Sequence, residues 1–132
     1  MWVYYNPNPY GERVGDCSVR AVSKALDLDW DKAYTGIALT GFVMKDMPSS
    51  NAVWGSYIRS KGFVRRQIPD VYPDRYTAER FCADHPQGAF VLVFSGHVAT
   101  VKDGNLFDTW DSSAELPLYY YEKLKEEEKD GE

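Results

Sequence analysis

Nothing in this 132-residue chain approaches the roughly 18 consecutive apolar residues of a membrane span, so a membrane partner is not expected. Basic residues are outnumbered, with Lys and Arg totalling 15 against 20 Asp and Glu. The net charge of −5 argues against nucleic acid as a partner, because that role needs a basic face. Arg65-Arg66 is a short exception and reads as a solvated strand end. Cysteine and histidine are scarce, at two each. A four-ligand zinc site would consume all of them, so no metal and no cofactor is expected. Cys82 and His85 have a spacing that could ligate, but they read as a helix-packing thiol and an exposed loop imidazole. The N-terminus lacks a basic stretch leading into an apolar run, so no export leader is expected. The expectations are a cytoplasmic location and two free thiols.

Aromatic residues are abundant, at 15% of the chain, with ten Tyr and four Trp. Apolar content of 44% is that of a globular chain. Its length suits one domain with a real core. Residues 122–132 hold six acids and three lysines and read as a charged, disordered tail, leaving residues 1–121 as the domain. Residues 1–15, rich in Tyr, Pro, Asn and Gly, read as irregular.

A first helix should begin at Asp16 or Cys17, since Val19, Val22, Ala25 and Leu26 recur at helical spacing. Asp29 can cap a second helix through Ala38, Gly41 through Ser50 reads as a break, and Asn51 can cap a third helix carrying Val53, Trp54, Tyr57 and Ile58. Phe63–Ile68 reads as a strand, and Thr77 caps a short helix, Ala78–Ala83. Ala89–Phe94 is nearly all apolar and reads as a central strand buried on both faces. Two further strands follow it, and residues 112–121 add an edge segment. The pattern is α+β: N-terminal helices packed on a C-terminal antiparallel sheet.

The richest stretch is Gly96 to Trp110. Asp103-Gly104 is a strong type I′ turn signal, because both central residues need φ > 0. A turn there sets Ala99 opposite Asp108 and His97 opposite Trp110. Residues opposed across a hairpin share a face, so His97, Asp108 and Trp110 lie on one side. His97 and Asp108 become diagonal neighbours, with Cβ atoms roughly 7–8 Å apart or less. A carboxylate orienting an imidazole is the base half of a catalytic triad. Asp111 falls on the opposite face unless a bulge reverses the parity. The nucleophile would be Cys17, in Gly15-Asp16-Cys17-Ser18. A helix start lowers a thiol's pKa and offers free N–H groups to an oxyanion. Taken alone, Cys17 reads equally well as a small buried residue.

A Cys heading a helix, then Ser95-Gly96-His97-Val98, then Asp108-Thr109-Trp110, resembles the papain-like cysteine peptidase superfamily. The resemblance extends to small peptidase-like proteins of bacteria and phages, to NlpC-type endopeptidases and to transglutaminase-like domains. It implies that Cys17, His97 and Asp108 are catalytic and that Trp110 shields the His97–Asp108 bond. Where those peptidases carry an oxyanion-hole Gln ahead of the nucleophile, Gly11 stands here. Asn8 or Asn6 would have to replace it. The implied function is hydrolysis of an amide bond in a peptide or protein substrate. Two alternatives share the site: a catalytically silent binding module, and acyl transfer to an amine.

Overall fold

The structure, a computed structural model, describes residues 1–125. Six strands and four helices follow one another as β1 (Trp2–Tyr4), α1 (Cys17–Leu26), α2 (Trp30–Met44), α3 (Asn51–Ser60), β2 (Phe63–Gln67), α4 (Ala78–Asp84), β3 (Ala89–Phe94), β4 (His97–Lys102), β5 (Asn105–Asp108) and β6 (Tyr119–Lys123). The strands form one sheet in the order β1-β5-β4-β3-β6-β2. The class is therefore α+β.

The sheet differs from the expected antiparallel one in three ways. It is mixed, because β1 pairs with β5 in parallel, Trp2 opposite Leu106 and Tyr4 opposite Asp108. Part of the N-terminal segment read as irregular is thus a strand. The segment expected at an edge is interior, since β6 lies between β3 and β2. And β6 runs through Glu122 and Lys123, which composition had assigned to the tail. Their charges suit a strand because they lie outside the apolar core: Glu122 reaches Arg66 at 3.0 Å, while Tyr121 is buried. The remainder of the expected tail, 126–132, lies outside the described residues.

Two apolar clusters occupy the two faces of the sheet, and β3 shows why. Val91 and Val93 point to α1, α2 and α3, joining Val22, Ile37, Trp54 and Ile58. Phe90, Leu92 and Phe94 point the other way, joining Phe81 of α4 and Leu106 of β5. The period of two along a strand thus splits one apolar run between two cores. Tyr121 closes the first cluster, its ring edge-on to Trp54 at 5.6 Å.

Helix starts follow their capping residues. The Asp29 carboxylate accepts from Lys32 N at 2.8 Å, and Thr77 Oγ1 from Arg80 N at 3.2 Å. At α3 the cap is Ser50 and not Asn51; its Oγ accepts from Ala52 N at 3.2 Å. Asn51 instead becomes the first helical residue, and its Oδ1 accepts from Trp54 Nε1 at 2.9 Å. α1 is the central helix, packed against β4 and α2, and most of its residues are buried, including Arg20 and Ser23.

Candidate active site

The β4–β5 hairpin turns at Asp103 and Gly104, with φ of 50° and 80°. Lys102 pairs with Asn105 and Thr100 with Phe107, the register that the turn signal dictates. His97 and Asp108 stand at the free end of this hairpin, beyond its last paired residues. Along β4, Val98 and Thr100 face α1, and Thr100 Oγ1 donates to Ala21 O at 2.6 Å. Ala99 and Val101 face the α4 side. By alternation His97 belongs to that second side. His97 nonetheless lines the groove that Cys17 lines, and Asp108 bonds Arg20 of α1.

His97 Nε2 and Asp108 Oδ2 are 2.6 Å apart. Asp108 has no exposed surface. Its Oδ2 also accepts from Ser112 Oγ at 2.7 Å, and its Oδ1 accepts from Thr109 N at 2.8 Å and Arg20 Nη2 at 3.1 Å. Burial alone would push its pKa up. The bonds from His97, Ser112 and Thr109, with the charge on His97, outweigh that and hold it below the ordinary carboxylate value. The imidazole lies between Phe94 and Trp110, with ring centroids 5.9 Å and 5.1 Å away. Trp110 sits beside the histidine although it lies past the end of β5 and is 44% exposed.

Cys17 is the first residue of α1 and half-buried. Burial pushes its thiol up. A hydrogen bond with the His97 ring, one with the Val98 backbone, and the charges of His97 and Arg20 bring the net value below that of an ordinary thiol. Burial likewise lowers His97, but its bonds to Asp108 and Cys17 prevail and raise it to about 9. With Nε2 held by Asp108, Nδ1 is the ring nitrogen left for the thiol. Cys82 is the opposite case: it is buried in α4, and burial raises its pKa.

Sequence reasoning missed Arg20. Its guanidinium is buried and forked between Asp16 Oδ1 at 2.9 Å and Asp108 Oδ1 at 3.1 Å. Asp16 Oδ2 accepts from Trp30 Nε1 at 2.9 Å. The Asp16 side chain therefore does not cap α1, although it stands at the N-cap position. The signal was present: Asp16 and Arg20 are spaced i, i+4, and Arg20 stands among Val19, Ala21 and Val22. Ser112 was missed as well, and nothing in Asp111-Ser112-Ser113 marked it. Asp111 is exposed and bonds within its own loop, Oδ1 accepting from Ser113 N at 3.1 Å.

A groove of about 190 Å³ holds Cys17 and His97, lined also by Gly15, Ser49, Asn51, Trp54 and Gly96. Asn8 is not brought there. It lines a separate hollow with Tyr10 and Glu12, and its Oδ1 accepts from Tyr10 N at 2.8 Å. Asn6 is committed too, donating from Nδ2 to Glu12 O at 3.1 Å. Both amides stabilise their own turns, a local use that competes with a distant one. Asn51 lines the groove instead. Its Oδ1 is occupied by Trp54 Nε1, which leaves the amide N–H₂ as the end open to a ligand.

His85 is half-buried, not exposed; its ring stacks on Phe81 at 3.8 Å and its Nδ1 lies 2.8 Å from Phe81 O. Among the described residues no cluster of three or more His, Cys, Asp or Glu could hold a metal ion, and no helix is long and apolar enough to cross a membrane. No protein-family model matches the chain, and neither the curated proteins nor the solved structures yield a match.

Proposed function

We propose that this protein hydrolyses amide bonds in peptides, with Cys17 as nucleophile, His97 as general base and acid, and Asp108 as the group that orients His97, in the manner of papain-like peptidases. The observation that carries the reading is one imidazole bonded to a buried carboxylate at 2.6 Å and lining the same groove as a thiol at a helix start whose pKa is lowered. An imidazolium beside a thiolate is the resting pair this favours.

The Cys17 sulfur attacks the carbonyl carbon, and the carbonyl π electrons move onto oxygen. The oxyanion is met by the Cys17 backbone N–H, which has no partner within α1, and by the Asn51 amide. The C–N bond then breaks, and His97 gives its proton to the departing amine. Water, deprotonated by His97, attacks the thioester; the C–S bond breaks and the thiolate returns. Asp108 stays ionised throughout, fixing the ring orientation and stabilising its positive form. Arg20 and Ser112 hold Asp108 in turn, and Trp110 and Phe94 flank the ring.

The test is a mixture of peptides incubated with the protein in the presence of a labelled primary amine, followed by mass spectrometry. New C-termini should form with the wild type and be absent with Cys17→Ser and His97→Ala. Label joined to the new carbonyl ends would identify acyl transfer. Products that persist in Cys17→Ser would remove the assignment.

A further inference from the structure

The groove at Cys17 is one of three hollows that share wall residues in series. A second, of about 270 Å³, shares Gly15, Ser18 and Ser49 with it and is walled by Val14, Val19, Trp30, Tyr34 and Pro48. A third, of about 300 Å³, shares Val14 and Trp30 with the second and continues past Tyr10 to Glu12 and Asp31. The lining changes character along this path: polar and reactive at Cys17, apolar in the middle, acidic at the far end.

From these shared walls and the change in their lining we infer that the three hollows form one trough for an extended peptide, with an apolar side chain seated between Val14 and Trp30 and a basic residue beyond it, at Glu12 and Asp31. The inference rests on the proposed role of Cys17.

The middle hollow suits an apolar side chain because the indole N–H and the buried carboxylate in its wall are already paired. Trp30 Nε1 is bonded to Asp16 Oδ2, and the other Asp16 oxygen to Arg20. An apolar group entering there strands neither of them, while an acidic one lies near the Asp16 carboxylate. The indole of Trp30 stacks on Tyr34, rings 5.0 Å apart and 16° from parallel, so the wall is rigid and flat. Tyr34 and Val14 remain about half exposed, at 47% and 48%, which is apolar surface a bound chain would cover. At the outer end, Glu12 and Asp31 form no ion pair among the described residues, so neither carboxylate is already paired when a ligand arrives. Charge complementarity then selects Lys or Arg and rejects acidic residues.

The experiment reads cleavage of a defined mixture of synthetic peptides by mass spectrometry, scoring both sides of each broken bond. Iodoacetamide alkylation of Cys17 is measured on the same samples. Cleaved bonds should carry a Leu, Phe or Tyr beside them and a Lys or Arg beyond it on the same side, with acidic residues at either place disfavoured about tenfold. Val14→Glu should cut cleavage of the apolar class by about tenfold and leave the alkylation rate within about twofold. Glu12→Lys combined with Asp31→Lys should turn the outer preference from basic to acidic. Cleavage with no side-chain preference, or with a preference that these variants do not move, overturns the trough. So does a mixture that stays intact while Cys17 is selectively alkylated. Failure of Cys17 to react faster than Cys82 overturns instead the reading beneath it.

Discussion

Arg20 Nη2 stands 3.1 Å from Asp108 Oδ1, and neither side chain is more than 7% exposed. The same guanidinium holds Asp16, the residue before Cys17, at 2.9 Å. One side chain therefore ties the carboxylate behind the histidine to the start of the helix that carries the thiol. A planar fork with several N–H donors can serve two carboxylates at once; a lysine ammonium on a flexible stem serves them poorly.

Removing that fork leaves two buried carboxylates under-compensated. Arg20→Met should destabilise the fold by about 3–5 kcal/mol, the usual cost of breaking a buried ion pair from one side. Arg20→Lys should recover part of the loss. Denaturant unfolding followed by Trp fluorescence measures both. A loss under about 1 kcal/mol for Arg20→Met would mean the pairs are no stronger than surface ones.

The two thiols should differ in reactivity. Cys17 is pulled below an ordinary thiol value and Cys82 is pushed above it by burial. Iodoacetamide near neutral pH should alkylate Cys17 first, as peptide mapping would show. His97→Gln removes both a hydrogen bond and a positive charge, leaving burial to dominate. The pH profile of Cys17 alkylation should then move to higher pH. Equal, slow labelling of both cysteines would contradict the geometry at the helix start.

Asp108→Ala and Asp111→Ala make a matched pair. Asp108 touches the imidazole at 2.6 Å, whereas Asp111 is exposed and bonds only its own loop. Asp108→Ala should lower the His97 pKa and slow Cys17 alkylation near neutral pH. Asp111→Ala should leave both nearly unchanged. NMR titration of His97 gives the first readout and alkylation kinetics the second, with circular dichroism as the folding check. Equal effects from the two variants would refute the assignment of Asp108.

Stability should depend on pH through His97. Its pKa is raised from an ordinary 6.5 to about 9, so over that interval the folded state binds more protons than the unfolded one. The stabilisation is complete below about 6.5 and is lost as pH rises through the folded value. Cys17 titrates with the opposite sign, so Cys17→Ala is the cleaner background, with His97 still raised there by Asp108. In it, Tm should fall by about 2–8 °C between pH 6 and pH 9, and less after His97→Gln. A Tm that rises over this interval would place His97 outside the carboxylate's influence.

How much of this was legible before the structure differs from element to element. Asp103-Gly104 determined the hairpin register, because few residues tolerate positive φ at both turn positions. That register predicted His97, Asp108 and Trp110 on one face; Asp108 and Trp110 do lie beside His97, although the paired ladder ends at Thr100 and Phe107. Helical periodicity and capping residues located the starts of four helices to within a residue, since both signals are local, but α2 runs on to Met44, through the Gly41 expected to open a break. Non-local pairing was not legible. The parallel β1–β5 ladder joins residues about a hundred positions apart, and Trp2–Tyr4 is too short for alternation to announce it. Nor did a tyrosine run followed by charges reveal β6 as an interior strand, because interior position depends on which neighbours arrive. The partners of Arg20 and the contrasting fates of Asn8 and Asn51 were decided in the same way. An arginine or an amide side chain carries no mark of what it will bond to. Only the packing of α1 against β4 and β5, and of the α3 start against the groove, determines which donors face which acceptors.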